Sequence, residues 1–145
     1  MKRIRIVTLL ISVLIGAIGL ASCATLGPVY QQTDNIPDHV GLVYIYRPSE
    51  FVGGGVSYTV KANGADVIKL YNGGYFPYFT KPGEIEFSAK TESTTSVTVD
   101  VKAGQEYYVK GDVGVGFFVG RPHLILVAPE VAKQEISECK LIPEK

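Results

Sequence analysis

Val56-Ser57-Tyr58-Thr59-Val60-Lys61-Ala62-Asn63-Gly64-Ala65-Asp66-Val67-Ile68-Lys69-Leu70 is the stretch whose reading decides the fold. Val56, Tyr58 and Val60 alternate with polar residues, the period of a strand with one buried face. Asn63-Gly64 supplies two residues that accept positive φ, which a tight primed turn requires. Asp66 to Leu70 then returns. The pattern is a β-hairpin.

The same grammar continues on both sides. Downstream, Asn72-Gly73-Gly74 makes a turn into a short aromatic strand, Tyr75 to Thr80, where Pro77 marks an edge or a bulge. Pro82-Gly83 turns the chain again. In Glu84 to Lys90, Ile85, Phe87 and Ala89 point inward and Glu84, Glu86, Ser88 and Lys90 outward. Thr94 to Val101 alternates in the same way, Ala103-Gly104 is a turn, and Gln105 to Lys110 is a strand. Gly111 to Gly120 reads as a glycine-rich loop around Phe117-Phe118-Val119, and Pro122 to Ala128 as the last strand. Upstream, Val40 to Arg47 is apolar on both faces, with Leu42, Tyr44 and Tyr46 opposite Val43 and Ile45, which marks a central strand. Pro48 ends it, and Ser49 to Gly55 is a loop. Pro129 to Cys139 has helical spacing of Val131, Glu135, Ile136 and Cys139, with Pro129 in the first turn. The expected fold is all-β: a small antiparallel β-sandwich of about seven to eight strands, immunoglobulin- or PEGA-like, with one short C-terminal helix.

The N-terminus follows a different logic. Lys2, Arg3 and Arg5 precede an apolar run from Ile6 to Leu20, and the small residues Ala21 and Ser22 precede Cys23. That is the layout of an export signal. Leu20-Ala21-Ser22-Cys23 resembles the bacterial lipobox. The resemblance implies a diacylglycerol thioether on Cys23, cleavage between Ser22 and Cys23, and acylation of the new amino end. Ala24, rather than Asp, implies export to the outer membrane in a host with two membranes. An uncleaved membrane helix and an ordinary secretory cleavage are the competing readings. The run is close to the ~17-residue minimum for a span, and the Cys directly behind the small pair favours lipidation. The resulting division is 1–22 signal peptide, 23–39 lipidated N-terminus and flexible polar tether, and 40–145 sandwich domain with its helix.

The chain has 14 basic and 14 acidic residues. Without Lys2, Arg3 and Arg5, 11 basic residues face 14 acidic ones, a formal charge of −3. That argues against a nucleic-acid partner, which needs a basic patch. Two cysteines are present. With Cys23 lipidated, Cys139 has no internal partner and is either a free thiol beside the helix or a bridge to another chain.

Asn72-Gly73-Gly74-Tyr75-Phe76 and Phe118-Val119-Gly120-Arg121-Pro122, with Ile45-Tyr46-Arg47-Pro48 upstream, resemble an uncharacterised family of bacterial lipoproteins, from about Val40 to Ile142. The run of strand, Asn63-Gly64, aromatic turn, Pro82-Gly83 and strand is also similar to PEGA-type sandwiches. Both resemblances imply fold and address, and neither implies a reaction.

No catalytic constellation emerges. Gly111-Asp112-Val113-Gly114-Val115-Gly116 lacks the dinucleotide spacing, and there is no phosphate loop and no nucleophile elbow. No zinc spacing of Cys and His occurs, so no metal and no cofactor is expected. The expected role is non-enzymatic. The protein is held to the membrane through lipid on Cys23, in the cell envelope, and binds an envelope protein or a glycan. The candidate surface is Tyr75, Phe76 and Tyr78 with Phe118 and Arg121, because amphipathic aromatics suit such contacts. The alternatives are an envelope hydrolase with a dispersed site, and a subunit that recruits a peptide along a sheet edge.

Overall fold

The computed structural model describes residues 26–144; residues 1–25, with Ser22 and Cys23, lie outside the described part. The strands are β1 (Gly41–Tyr46), β2 (Tyr58–Ala62), β3 (Ala65–Leu70), β4 (Gly74–Thr80), β5 (Gly83–Lys90), β6 (Thr94–Val101), β7 (Glu106–Gly114), β8 (Arg121–Val127) and β9 (Lys140–Leu141), with the helix α1 (Pro129–Ile136) before β9. Two sheets face each other, β8-β7-β1-β4-β9 and β3-β2-β5-β6. The all-β sandwich with a short C-terminal helix is therefore the observed fold.

The hairpin forms as its residues dictate. Asn63 (φ 47°) and Gly64 (φ 82°) both take positive φ, and the Asn63 carboxamide oxygen accepts the Glu86 N–H at 2.9 Å, tying the turn to β5. Tyr58, Val60 and Ala62 are buried, as are Ile85, Phe87, Ala89, Val99 and Val101 from the neighbouring strands. They meet Val43, Ile45, Val109, Val113 and Leu124 of the opposite sheet. A side chain such as Phe87, fully buried, contributes about 1.5–3 kcal/mol.

β1 is buried along its whole length. Val43 and Ile45 enter the core between the sheets, and Leu42, Tyr44 and Tyr46 enter a second cluster on the outer face. Ala132, Ile136 and Cys139 cover that second face, with Tyr30 and Ile36 beside them. Two apolar faces thus arise because each face has its own cover.

The structure departs from the sequence reading in four places. First, the pairing is not antiparallel throughout: β1 runs parallel to β7, and β4 parallel to β9. Parallel neighbours need a long connection, and here the whole second sheet lies between β1 and β7. Second, β7 runs on to Gly114. A methyl on Gly111 would overlap Leu70 and the Tyr58 hydroxyl, so glycine marks a close sheet-to-sheet approach here, not a loop. Third, α1 ends at Ile136 and not Cys139, because the Lys140 N–H is drawn to the Gly73 carbonyl at 2.9 Å. Fourth, the described part of the expected tether, 26–39, lies against the domain. Gly27 and Tyr30 donate backbone N–H bonds to Leu141 and Cys139 at 2.6 and 2.8 Å. Tyr30 packs edge-on to Tyr44 and Tyr75 with ring centres 5.3 and 5.2 Å away. One aromatic and a few aliphatic side chains in a polar stretch suffice to dock it.

Candidate binding surface

The registers of β1, β7, β4 and β8 place the loops 47–57, 71–73 and 115–120 at one end of the sandwich. The β5–β6 turn, 91–93, joins them there: the Thr91 hydroxyl donates to the Gly120 carbonyl at 2.6 Å. Loops gathered on a rigid sheet are where binding residues concentrate. Two of these loops carry large apolar side chains into solvent. Phe51 and Val52 stand on the first, and Val115, Phe117, Phe118 and Val119 on the second; Phe51, Phe117 and Phe118 are 101, 83 and 87 % exposed. At such values the rings stand mostly in solvent. Contiguous exposed apolar surface of this kind marks an interaction site.

The protrusion is braced from below. The Glu92 carboxylate accepts the Phe117 N–H at 2.6 Å and the Phe118 N–H at 3.1 Å. Those amides, Phe118 first and then Phe117 and Val119, with the Arg121 guanidinium 3.9 Å away, hold the Glu92 carboxyl below its ordinary range. Phe117 and Phe118 form an edge-to-face pair at 4.6 Å and 77°. At Gly116 the chain passes so close to Gly120 and Glu92 that a Cβ would collide with both.

The first loop is braced by buried and clasping polar groups. Arg47, 1 % exposed, donates to the carbonyls of Val56 and Gly53, with its guanidinium 5.9 Å from the Tyr58 ring centre. Asn72 clasps Glu50, donating to its carbonyl and accepting its N–H, both at 2.9 Å. A recess of about 190 Å³ joins the two loops, lined by Val52, Gly53, Val113 and Phe118. The three sequence motifs therefore meet at one end. Arg47 comes from the first, Asn72 from the second, and Phe118 and Arg121 from the third.

The expected surface residues separate. Phe118 and Arg121 lie in this protrusion, with the Arg121 side chain 58 % exposed. Tyr75 and Phe76 are buried, and Tyr78 is half-buried with its ring edge-on to Phe87 at 5.9 Å. These three are packing residues and not part of the surface. β4 has cover on both faces, so adjacent aromatics of opposite parity both enter a core. Past Tyr75 its outer edge has no strand partner among the described residues, which suits Pro77. Phe51 and Val52 were not anticipated. Their signal was two large apolar residues inside a stretch bounded by Pro48 and Gly53-Gly54-Gly55.

Elsewhere, the buried Cys139 thiol donates to the Arg47 carbonyl at 3.5 Å, and burial pushes it up to about 12. It is a free, buried thiol. Glu135 accepts from Lys110 at 2.7 Å and Tyr46 at 2.6 Å; burial opposes its ionisation, yet these donors keep it below the ordinary range. An open groove of about 560 Å³ runs along the other edge, lined by Leu26, Val67, Ile68, Tyr71, Phe76 and Ile142. Among the described residues no group of His, Cys, Asp and Glu is placed to hold a metal ion, and no helix is long and apolar enough to cross a membrane.

No curated protein and no solved structure matches the chain. A family model does match residues 37–121, from the approach to β1 through the second apolar loop. That span is more than half of the chain; it includes the first two motifs and the third up to Arg121. With this match over β1 to β7 and the braced loops, the chain belongs to the family described as protein of unknown function (DUF2846).

Proposed function

We propose that this protein is a lipid-anchored component of the bacterial cell envelope, and that its sandwich is a non-enzymatic binding or accessory module. The observation that carries the reading is Leu20-Ala21-Ser22-Cys23 at the end of a basic and then apolar leader. Lipid on Cys23 supplies the membrane attachment, each buried methylene adding about 0.8 kcal/mol. Ala24 favours the outer membrane where the host has one. The partner class is an envelope protein or a glycan, met through the braced loop end that includes Phe118 and Arg121. A hydrolase would need a carboxyl group held above its ordinary range in an aromatic pocket; the two displaced carboxyls, Glu92 and Glu135, are both held below it. Metabolic labelling with a fatty acid tests the anchor. Label on the wild type and none on Cys23→Ala supports it, and equal labelling of both sinks it.

One observation favours a second reading. Among the described residues β3 is an edge strand and β4 has no strand partner on its outer side beyond Tyr75; both flank the open groove. Such an edge accepts an extended peptide by strand addition. Crosslinking in intact cells from a photoreactive residue at Val67 tests it: a captured peptide segment supports edge recruitment, and capture only from position 118 refutes it.

A further inference from the structure

We infer that the apolar loop end, Phe117-Phe118-Val119 with Phe51-Val52, enters the hydrocarbon boundary of a lipid bilayer. The inference rests on the anchored reading above and names what the loop end meets. Three observations carry it.

The first is the length of free chain. Gly27 and Tyr30 are docked on Leu141 and Cys139, so only three peptide steps separate Cys23 from Leu26. Their greatest reach is about 10 Å. A lipid on Cys23 therefore leaves no long spacer, and the domain sits on the membrane surface instead of clear of it. Some face of the sandwich must meet lipid.

The second is shape. The rings of Phe51, Phe117 and Phe118 project almost fully into solvent. A protein interface of ordinary size buries about 800 Å² per partner with close complementarity. A few projecting rings on loop tips need no complementary pocket when the receiving medium is fluid, and apolar side chains such as Phe lodge at the headgroup–acyl boundary.

The third is charge. At the base of the second loop the Glu92 carboxylate is engaged by the Phe117 and Phe118 amides, while the exposed Glu50 beside Phe51 marks the depth at which the first loop stays in water. Arg121 stands at the start of β8 with its side chain largely in solvent and only a 3.9 Å contact to Glu92. Apolar tip above and guanidinium below is the order a bilayer presents, acyl chains and then phosphates. The Glu92 clasp holds the rings outward before contact, so little ordering remains to be done on insertion.

The chain has no tryptophan, so Phe118→Trp gives a single reporter at the tip, and Thr98→Trp, on the exposed face of β6, a control. The full chain is purified from membranes and reconstituted into phosphatidylethanolamine–phosphatidylglycerol vesicles, with and without brominated acyl chains. The expected result is blue-shifted emission from Phe118→Trp that loses most of its intensity to the brominated lipid, while Thr98→Trp keeps its intensity. Water-like, unquenched emission from Phe118→Trp overturns the proposal. So does a blue shift that appears only when envelope protein is added and resists the brominated lipid, which assigns the tip to a protein partner. Acyl labelling of the same preparation separates the two claims. Label present with an unquenched tip removes the insertion alone, and quenching kept without label supports insertion and removes the anchor.

Discussion

The Arg47 guanidinium donates to the Gly53 carbonyl at 2.7 Å from a fully buried position, with no carboxylate beside it. Its other contacts are the Val56 carbonyl and the face of Tyr58. Backbone carbonyls thus satisfy the two terminal nitrogens of a buried cation while its Nε stays without a hydrogen-bond partner among the described residues, and the cation in return pins the loop that carries Phe51 and Val52.

Arg47→Met keeps the length of the side chain and removes both donors. The Val56 carbonyl then loses its side-chain donor, and the Gly53 carbonyl keeps only the Val56 N–H. The expected loss is about 2–4 kcal/mol of unfolding free energy, read by urea denaturation. Hydrogen exchange of the Val56 amide, which donates to Gly53 at 2.9 Å, rises more than that of the Val43 amide in β1. Equal changes at both positions refute a local role for Arg47.

Cys139 is predicted to be silent toward thiol reagents in the folded state. A thiol that is buried and raised to about 12 offers almost no thiolate at neutral pH. A maleimide added to native Cys23→Ala protein leaves Cys139 unmodified, and the same reagent in denaturant labels it fully. Fast labelling of the native form contradicts the burial described here.

Stability has a limit on each side of neutral pH, and the signs follow from the displaced groups. Glu92 and Glu135 lie below the ordinary glutamate value of 4.5 when folded. Their contribution is complete above that value and is lost as pH falls through the folded values. Tyr30, Tyr46, Tyr58 and Tyr108 are all raised, chiefly by burial, Tyr108 to about 12. Their contribution is complete below the ordinary value of 10.0 and is lost as pH rises toward the folded values. Melting temperature therefore declines below about pH 4.5 and above about pH 10. Tyrosinate absorbance rises together with the loss of ellipticity in alkali, because these hydroxyls ionise when the outer face and the core between the sheets open. Tyrosinate that forms well before unfolding contradicts the account.

Gly111→Ala tests the approach of the two sheets. The added methyl meets Leu70 and the Tyr58 hydroxyl, which itself donates to the Asp112 carbonyl at 3.1 Å. Overpacking of this kind costs about 1–3 kcal/mol. The double variant Gly111→Ala with Tyr58→Phe frees one of the two obstacles and recovers part of the loss, measured by thermal unfolding.

The strands legible in the sequence were those whose pattern is local. Asn63-Gly64 declares its turn, and Ile85, Phe87 and Ala89 declare their face, because each needs only its neighbours. β1 was legible as central because both of its faces are apolar. Which strands it would pair with was not, since alternation records faces and not partners; the parallel pairing with β7 depends on the path of the intervening sheet. Gly111 misled because glycine in a strand and glycine in a loop look alike until the opposing Tyr58 is placed. Tyr75 and Phe76 misled because the cover on their second face, α1 and Tyr30, is contributed by distant parts of the chain. Phe118 and Arg121 were found as loop residues beside each other in sequence. Phe51 needed three dimensions, because its loop reaches Phe118 only through the recess above Val113.

The docking of residues 26–30 on β9 also sets an order of events. Gly27, Pro28 and Tyr30 find their hydrogen-bond partners in Cys139 and Leu141, almost a whole described chain away. As the polypeptide emerges from a ribosome or a translocation channel, the earliest of these segments has nothing to hold until the latest has arrived. The central hairpins can form in passing, but the five-stranded sheet is completed last, when β9 arrives and residues 26–30 lock onto it. Contacts of such sequence separation form slowly. The apolar outer face, Leu42, Tyr44 and Tyr108, is therefore the surface left open longest in a nascent chain, and the one a holding chaperone would meet.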